Sequence, residues 1–78
     1  MDAQKLVKMG NQIAQFFAGE PDRQVAIDGV ASHLQRFWEP RMRRAIFAAF
    51  DAGATAGMHE LLKDALAARR GQLEPAPR

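Results

Sequence analysis

Val30-Ala31-Ser32-His33-Leu34-Gln35-Arg36-Phe37-Trp38-Glu39-Pro40-Arg41-Met42-Arg43-Arg44 closes one helix and opens the next with almost no chain between them. Pro40 disfavours helical backbone at Glu39. It also suits the first turn of a new helix, where its missing N–H costs nothing. Upstream of this corner, at about 100° per residue, Ile27, Val30, Ala31, Leu34, Phe37 and Trp38 fall on one face. Downstream, Met42, Ile46, Phe47 and Phe50 give a third helix its apolar residues, and the pattern runs to about Asp51.

The upstream spacing has a counterpart 21 residues earlier, where Leu6, Met9, Gly10, Ile13, Phe16 and Phe17 share a narrow face. Lys8, Asn11, Gln12 and Gln15 lie away from it. Asp2 suits the N-cap, and Gly19 with Pro21 predicts the stop. The two stretches match in geometry more than in identity, so they read as two amphipathic helices rather than a duplication. Each ends in an aromatic pair, Phe16-Phe17 and Phe37-Trp38. Beyond Asp51, Gly53 and Gly57 bracket a loose connection. A fourth helix is predicted from Met58 to Arg70, with Met58, Leu61, Leu62, Ala65 and Leu66 on one face. Arg69 and Arg70 suit the negative end of its dipole, and Gly71 offers a stop. Gln72 to Arg78 hold two prolines and little to bury, so they predict a disordered tail. Sustained period-two alternation is missing and Tyr is absent, which argues against strands. The predicted fold is all-α: a small bundle of three to four short helices over residues 1–71, followed by a flexible tail over 72–78.

Seventy-eight residues make one domain. A chain of this size buries only about 60% of the surface its unfolded form exposes, so its own core is marginal. Such domains usually gain a disulfide, a metal or a partner. There is no cysteine, which excludes disulfides and fits a reducing cytosol. His33 and His59 alone fall short of the four ligands of a structural zinc site. A partner, either another copy or a different protein, is the remaining staple. Met1 to Lys8 carry no apolar run of signal-peptide length, and no stretch approaches the roughly 20 apolar residues that span a bilayer. A soluble protein is expected.

Catalysis fails on inventory. Ser32 and His33 are adjacent, and adjacent helical residues do not face each other; Ser32 reads as a surface residue and His33 as a boundary residue with a polar tip. His59 opens the fourth helix with no recognisable partner. Gly53 and Gly57 lack the Walker spacing and a preceding strand. The carboxylates are scattered without paired spacing.

What stands out is the corner itself. Arg36, Phe37, Trp38, Pro40, Arg41, Met42, Arg43 and Arg44 pack four guanidinium groups around two aromatics and a rigid turn. Arg, Trp and Met are enriched in protein interfaces, and Trp and Arg dominate hot spots. The simpler alternative is a core Phe-Trp pair beside a solvated basic rim. Helical phase puts Arg43 on the apolar side and Arg44 well away from it. Arg43 therefore needs a carboxylate or carbonyl partner, and a partner chain is the expected source. A helix-turn-helix DNA-binding reading competes, since an Arg-rich helix follows a tight turn. Against it, Ala45, Ala48 and Ala49 replace the Asn, Gln or Ser that read base edges. Membrane-surface binding is disfavoured by acidic residues interleaved on the polar faces.

Two stretches of the chain resemble a known family. Leu6-Val7-Lys8-Met9-Gly10-Asn11-Gln12-Ile13-Ala14-Gln15-Phe16-Phe17 is similar to an L-V-x-M-A-N-Q-I-x-x-F-F pattern. His33-Leu34-Gln35-Arg36-Phe37-Trp38-Glu39-Pro40-Arg41-Met42-Arg43 is similar to H-(I/L)-x-x-F-W-(D/E)-P-R-M-R. Both characterise the delta subunit of bacterial NAD-dependent formate dehydrogenases. Gly10 stands where alanine is expected and Glu39 where aspartate is common; from Ala45 onward the match is loose. The resemblance implies a small accessory chain of a cytoplasmic enzyme, docked on the catalytic (alpha) subunit and supporting quaternary structure. It implies no cofactor in this chain. The parent complex would carry a molybdenum or tungsten bis-pterin guanine dinucleotide, iron–sulfur clusters, FMN and NAD. Neither nucleic acid nor membrane is an expected partner, and self-association of the isolated chain stays open.

Overall fold

The computed structural model describes residues 2–76. Five helices follow one another: α1 (Ala3–Phe17), α2 (Arg23–Phe37), α3 (Pro40–Asp51), α4 (Glu60–Ala68) and the single-turn α5 (Arg70–Leu73). The described residues contain no strand, so the all-α expectation stands, with one short helix more than was predicted.

Each helix end has a local chemical cause. Asp2 caps α1 by accepting from the Gln4 amide at 2.9 Å. Asp22 caps α2, accepting from the Gln24 amide at 3.0 Å. At the corner, Trp38 turns extended while its amide still donates to the Leu34 carbonyl at 3.0 Å. The Glu39 carbonyl then accepts from Met42 and Arg43 at 2.9 and 3.1 Å, so α3 starts at Pro40 without a side-chain cap. The connection after α3 is tighter than its glycines suggest. Gly53 takes the left-handed conformation (φ 79°), its amide donates to Phe50, and the Ala54 amide donates to Ala49 at 3.0 Å. This Schellman pattern satisfies two of the carbonyls orphaned at the helix end.

α4 begins at Glu60, later than the expected Met58, because His59 is its cap. The His59 Nδ1 accepts from the Leu61 amide at 3.0 Å. Asn11 on α1 clamps the same segment: its Nδ2 donates to the Gly57 carbonyl at 2.7 Å and its Oδ1 accepts from the His59 amide at 2.8 Å. His59 therefore has partners that its sequence position did not reveal.

The core gathers along α2, which packs most extensively against α4 and also against α1 and α5. Ile27, Val30, Ala31, Leu34 and Trp38 meet Leu61, Leu62, Ala65 and Leu66 there, with Ile46 and Phe47 contributed by α3. The predicted α4 face is wholly buried, Met58 included. The expected tail begins too early in the prediction. Leu73 is fully buried and ends α5, because a single large aliphatic residue after Gly71 is enough to fold the turn back onto α2 and α4. Glu74 to Ala76 follow outside the helices, and residues 77–78 of that tail lie outside the described residues.

Arg70 fastens this end. It stacks over the Phe47 ring at 4.9 Å from the centroid, pairs with Asp51, and donates to Glu74 at 2.9 Å. Its hydrogen bonds to Glu74 and Asp51 hold the guanidinium more firmly protonated than usual. The same hydrogen bond, helped by the Arg70 charge, holds the Asp51 carboxyl below the usual carboxylate range against a smaller effect of burial.

Candidate docking surface

The corner residues divide into two groups. Trp38 is 5% exposed and belongs to the core, whereas its neighbour Phe37 is 69% exposed. Arg36, Pro40, Arg41 and Arg44 are exposed, and Met42 and Arg43 are partly covered. Arg43 finds its partners within this chain. Its Nη1 donates to the Leu73 carbonyl at 2.8 Å and its Nε to the Trp38 carbonyl at 3.3 Å. The expectation of an external partner for Arg43 is thus corrected, and the reason is the same as for the tail: α5 was not anticipated, so its carbonyl was not available to the reasoning. Arg43 ties the corner to the C-terminal turn.

Phe37 opens onto a cleft of about 600 Å³ between α1, α2 and the start of α3. Met9, Ile13, Phe16 and Phe17 form one wall, and His33, Phe37, Trp38 and Met42 the other. Among the described residues, four large apolar side chains are exposed: Met9 (41%), Phe16 (79%), Phe37 and Val25. All but Val25 line the cleft. Scattered surface hydrophobes need no explanation, but a contiguous set marks an interaction site.

Local packing arranges the walls. Phe17 lies flat against α2 over Gly29, where an added Cβ would fall 2.5 Å from its ring. Phe16 meets Phe17 edge-on, with centroids 5.1 Å apart, and so faces outward. His33 rests on Phe37 at 4.7 Å between centroids. Gln12 also lines the cleft, and the His33 Nδ1 is buried with no hydrogen-bond partner among the described residues. The bland boundary-histidine reading placed the residue correctly but missed this atom.

The α1 wall was not part of the site predicted from sequence. Its signal was partial: adjacent residues on a helix point about 100° apart, so burying Phe17 does not by itself bury Phe16. The helix-turn-helix alternative finds no support. α3 packs chiefly on α1 rather than on α2, and its exposed positions include Ala48 and Asp51 beside Arg41 and Arg44. Among the described residues no helix is long and apolar enough to cross a membrane.

The geometry defines a small helical protein with an open apolar cleft beside a basic corner. Residues 5–66 match the family model described as NADH-dependent formate dehydrogenase delta subunit FdsD, and the chain belongs to that family. The match extends well past Ala45, so the family pattern includes α3 and most of α4 as well as the two motifs. No curated protein and no solved structure matches the chain significantly.

Proposed function

We propose that this chain is a non-catalytic accessory subunit of a soluble, cytoplasmic NAD-dependent formate dehydrogenase, docking on the catalytic alpha subunit and supporting assembly or quaternary stability. The family supplies the complex. The observation that supports docking is the pair Phe16 and Phe37, left 79% and 69% exposed around one cleft in a chain that already has a closed core. In this reading the pterin-bound molybdenum or tungsten, the iron–sulfur clusters, FMN and NAD belong to the other subunits.

The test separates docking from folding. Trp38 and Arg43 hold the fold together, so substitutions there report stability. Phe16→Ser with Phe37→Ser removes exposed apolar surface and leaves the core intact. Co-expressed with the remaining subunits, the wild-type tagged chain is expected to retrieve the catalytic subunit. The double variant should keep its helical circular dichroism and lose the complex. Stoichiometric retention of the double variant in high salt would place the docking surface elsewhere.

A further inference from the structure

Resting on that docking reading, we infer that the cleft takes an amphipathic helix of the partner with an acidic flank, whose large apolar side chain enters between Phe16 and Phe37. The charges around the corner carry the argument. Away from the corner, Arg23 pairs with Asp64 and the half-buried Arg70 with Asp51 and Glu74, while the half-buried Arg69 forms no ion pair among the described residues. At the corner, Arg36 and Arg44 form no ion pair among the described residues. Arg41 reaches only Glu39, at 3.6 Å with both side chains mostly exposed, a pair worth little. Arg36 and Arg41 precede the cleft residues Phe37 and Met42 in the chain and are themselves exposed, so their cations lie on the surface near this end of the cleft without lining it. Arg44 shares a shallow neighbouring hollow with Glu39, Pro40 and Arg41.

A helix suits the cleft because its walls are themselves helix faces with no free sheet edge, which is the helix-in-groove mode of recognition. Gln12 and His33 are the polar residues in an otherwise apolar lining. A second copy of this chain is the poorer occupant. A twofold contact pairs a patch with itself, and this one holds Arg36, Arg41 and Arg44 against Glu39 alone, so two copies would bring an excess of like charge together, which disfavours association. A carboxylate-bearing segment removes that excess.

The experiment uses the complex as co-expressed. Phe37→p-benzoylphenylalanine is photolysed in the assembled enzyme, and the attached peptide is identified by mass spectrometry and synthesised. Binding of that peptide to the wild-type chain is then compared with Phe37→Ala and with Arg36→Glu plus Arg44→Glu. We expect a peptide that becomes helical on binding and carries a net negative flank. Phe37→Ala should weaken it at least about 30-fold, the size of a hot-spot loss of about 2 kcal/mol. The charge reversal should weaken it about tenfold at low salt and progressively less at high salt. Cross-links to a second copy, to a basic or extended segment, or an indifferent charge-reversal variant would overturn the inference. So would a complex that assembles without any cross-link from position 37, while docking itself stands. Failure of the wild-type chain to retrieve the catalytic subunit would instead sink the docking reading.

Discussion

Replacing Leu73 by alanine tests the least expected element of the fold. The side chain is fully buried, its amide donates to Arg69 at 3.0 Å, and its carbonyl receives the Arg43 guanidinium at 2.8 Å. Leucine-to-alanine changes in cores cost about 2–5 kcal/mol, the transfer of the lost carbons plus the cavity left behind. Near a chain end the backbone can settle into the space, so a value of about 2–3 kcal/mol is expected. A chain of this length has roughly 4–12 kcal/mol of stability in total. The loss is therefore a large share, and at about 4–8 °C per kcal/mol for small domains the melting temperature should fall by roughly 10–20 °C. Far-ultraviolet circular dichroism melts and urea titration, each on wild type and variant, read both quantities. Removing residues 72–78 should cost at least as much, because it also deprives Arg43 of its acceptor, whereas removing 75–78 should cost little. A Leu73→Ala protein melting within about 3 °C of wild type would refute the docked turn and restore the free tail.

Gly53→Ala should destabilise by about 1–2 kcal/mol in urea, because alanine is strained at φ 79° although nothing lies within 4 Å of its Cβ. Gly57→Ala, equally open but without positive φ, serves as the control and should be nearly neutral. Asn11→Ala should cost about 1–2 kcal/mol and raise hydrogen exchange at the His59 amide, which loses its acceptor; unchanged protection there would mean that the clamp is not formed in solution. For Asp51 the direction follows from proton linkage. Its carboxyl is held low in the folded state, so the unfolded chain takes up that proton first and the stabilisation is complete above about pH 4. It is lost as pH falls through the folded-state value. Asp51→Asn should flatten the acid limb of a stability-against-pH curve, and an identical limb in the variant would remove Asp51 as a contributor.

Local chemistry made part of this molecule readable from sequence. The Glu39-Pro40 corner and the α4 stripe Met58-Leu61-Leu62-Ala65-Leu66 follow from rules that act within one turn of helix. Which member of each aromatic pair enters the core does not, because neighbouring residues differ by about 100° around a helix and the arc that becomes core is set by the other helices. The structure resolves this through residue size. The buried line of α1 is Leu6-Gly10-Ala14, and an added Cβ on Gly10 would come within 2.8 Å of Leu62. Small residues bring α1 close to α4, and that approach turns the larger Met9 and Phe16 outward. On α2, Gly29 plays the corresponding part by giving Phe17 a flat bed, while Phe37 stays out and Trp38 goes in. A chain under selection for its own stability alone would gain from the reverse arrangement, since burying a large apolar side chain contributes about 1.5–3 kcal/mol and glycine in a helix interior costs roughly 0.5–1 kcal/mol relative to alanine. Here Gly10 is buried and Gly29 half-buried at helix contacts, and three of the larger apolar residues are outside around one cleft. That inversion has a physical rationale if the outer residues are buried in a second step, against another protein.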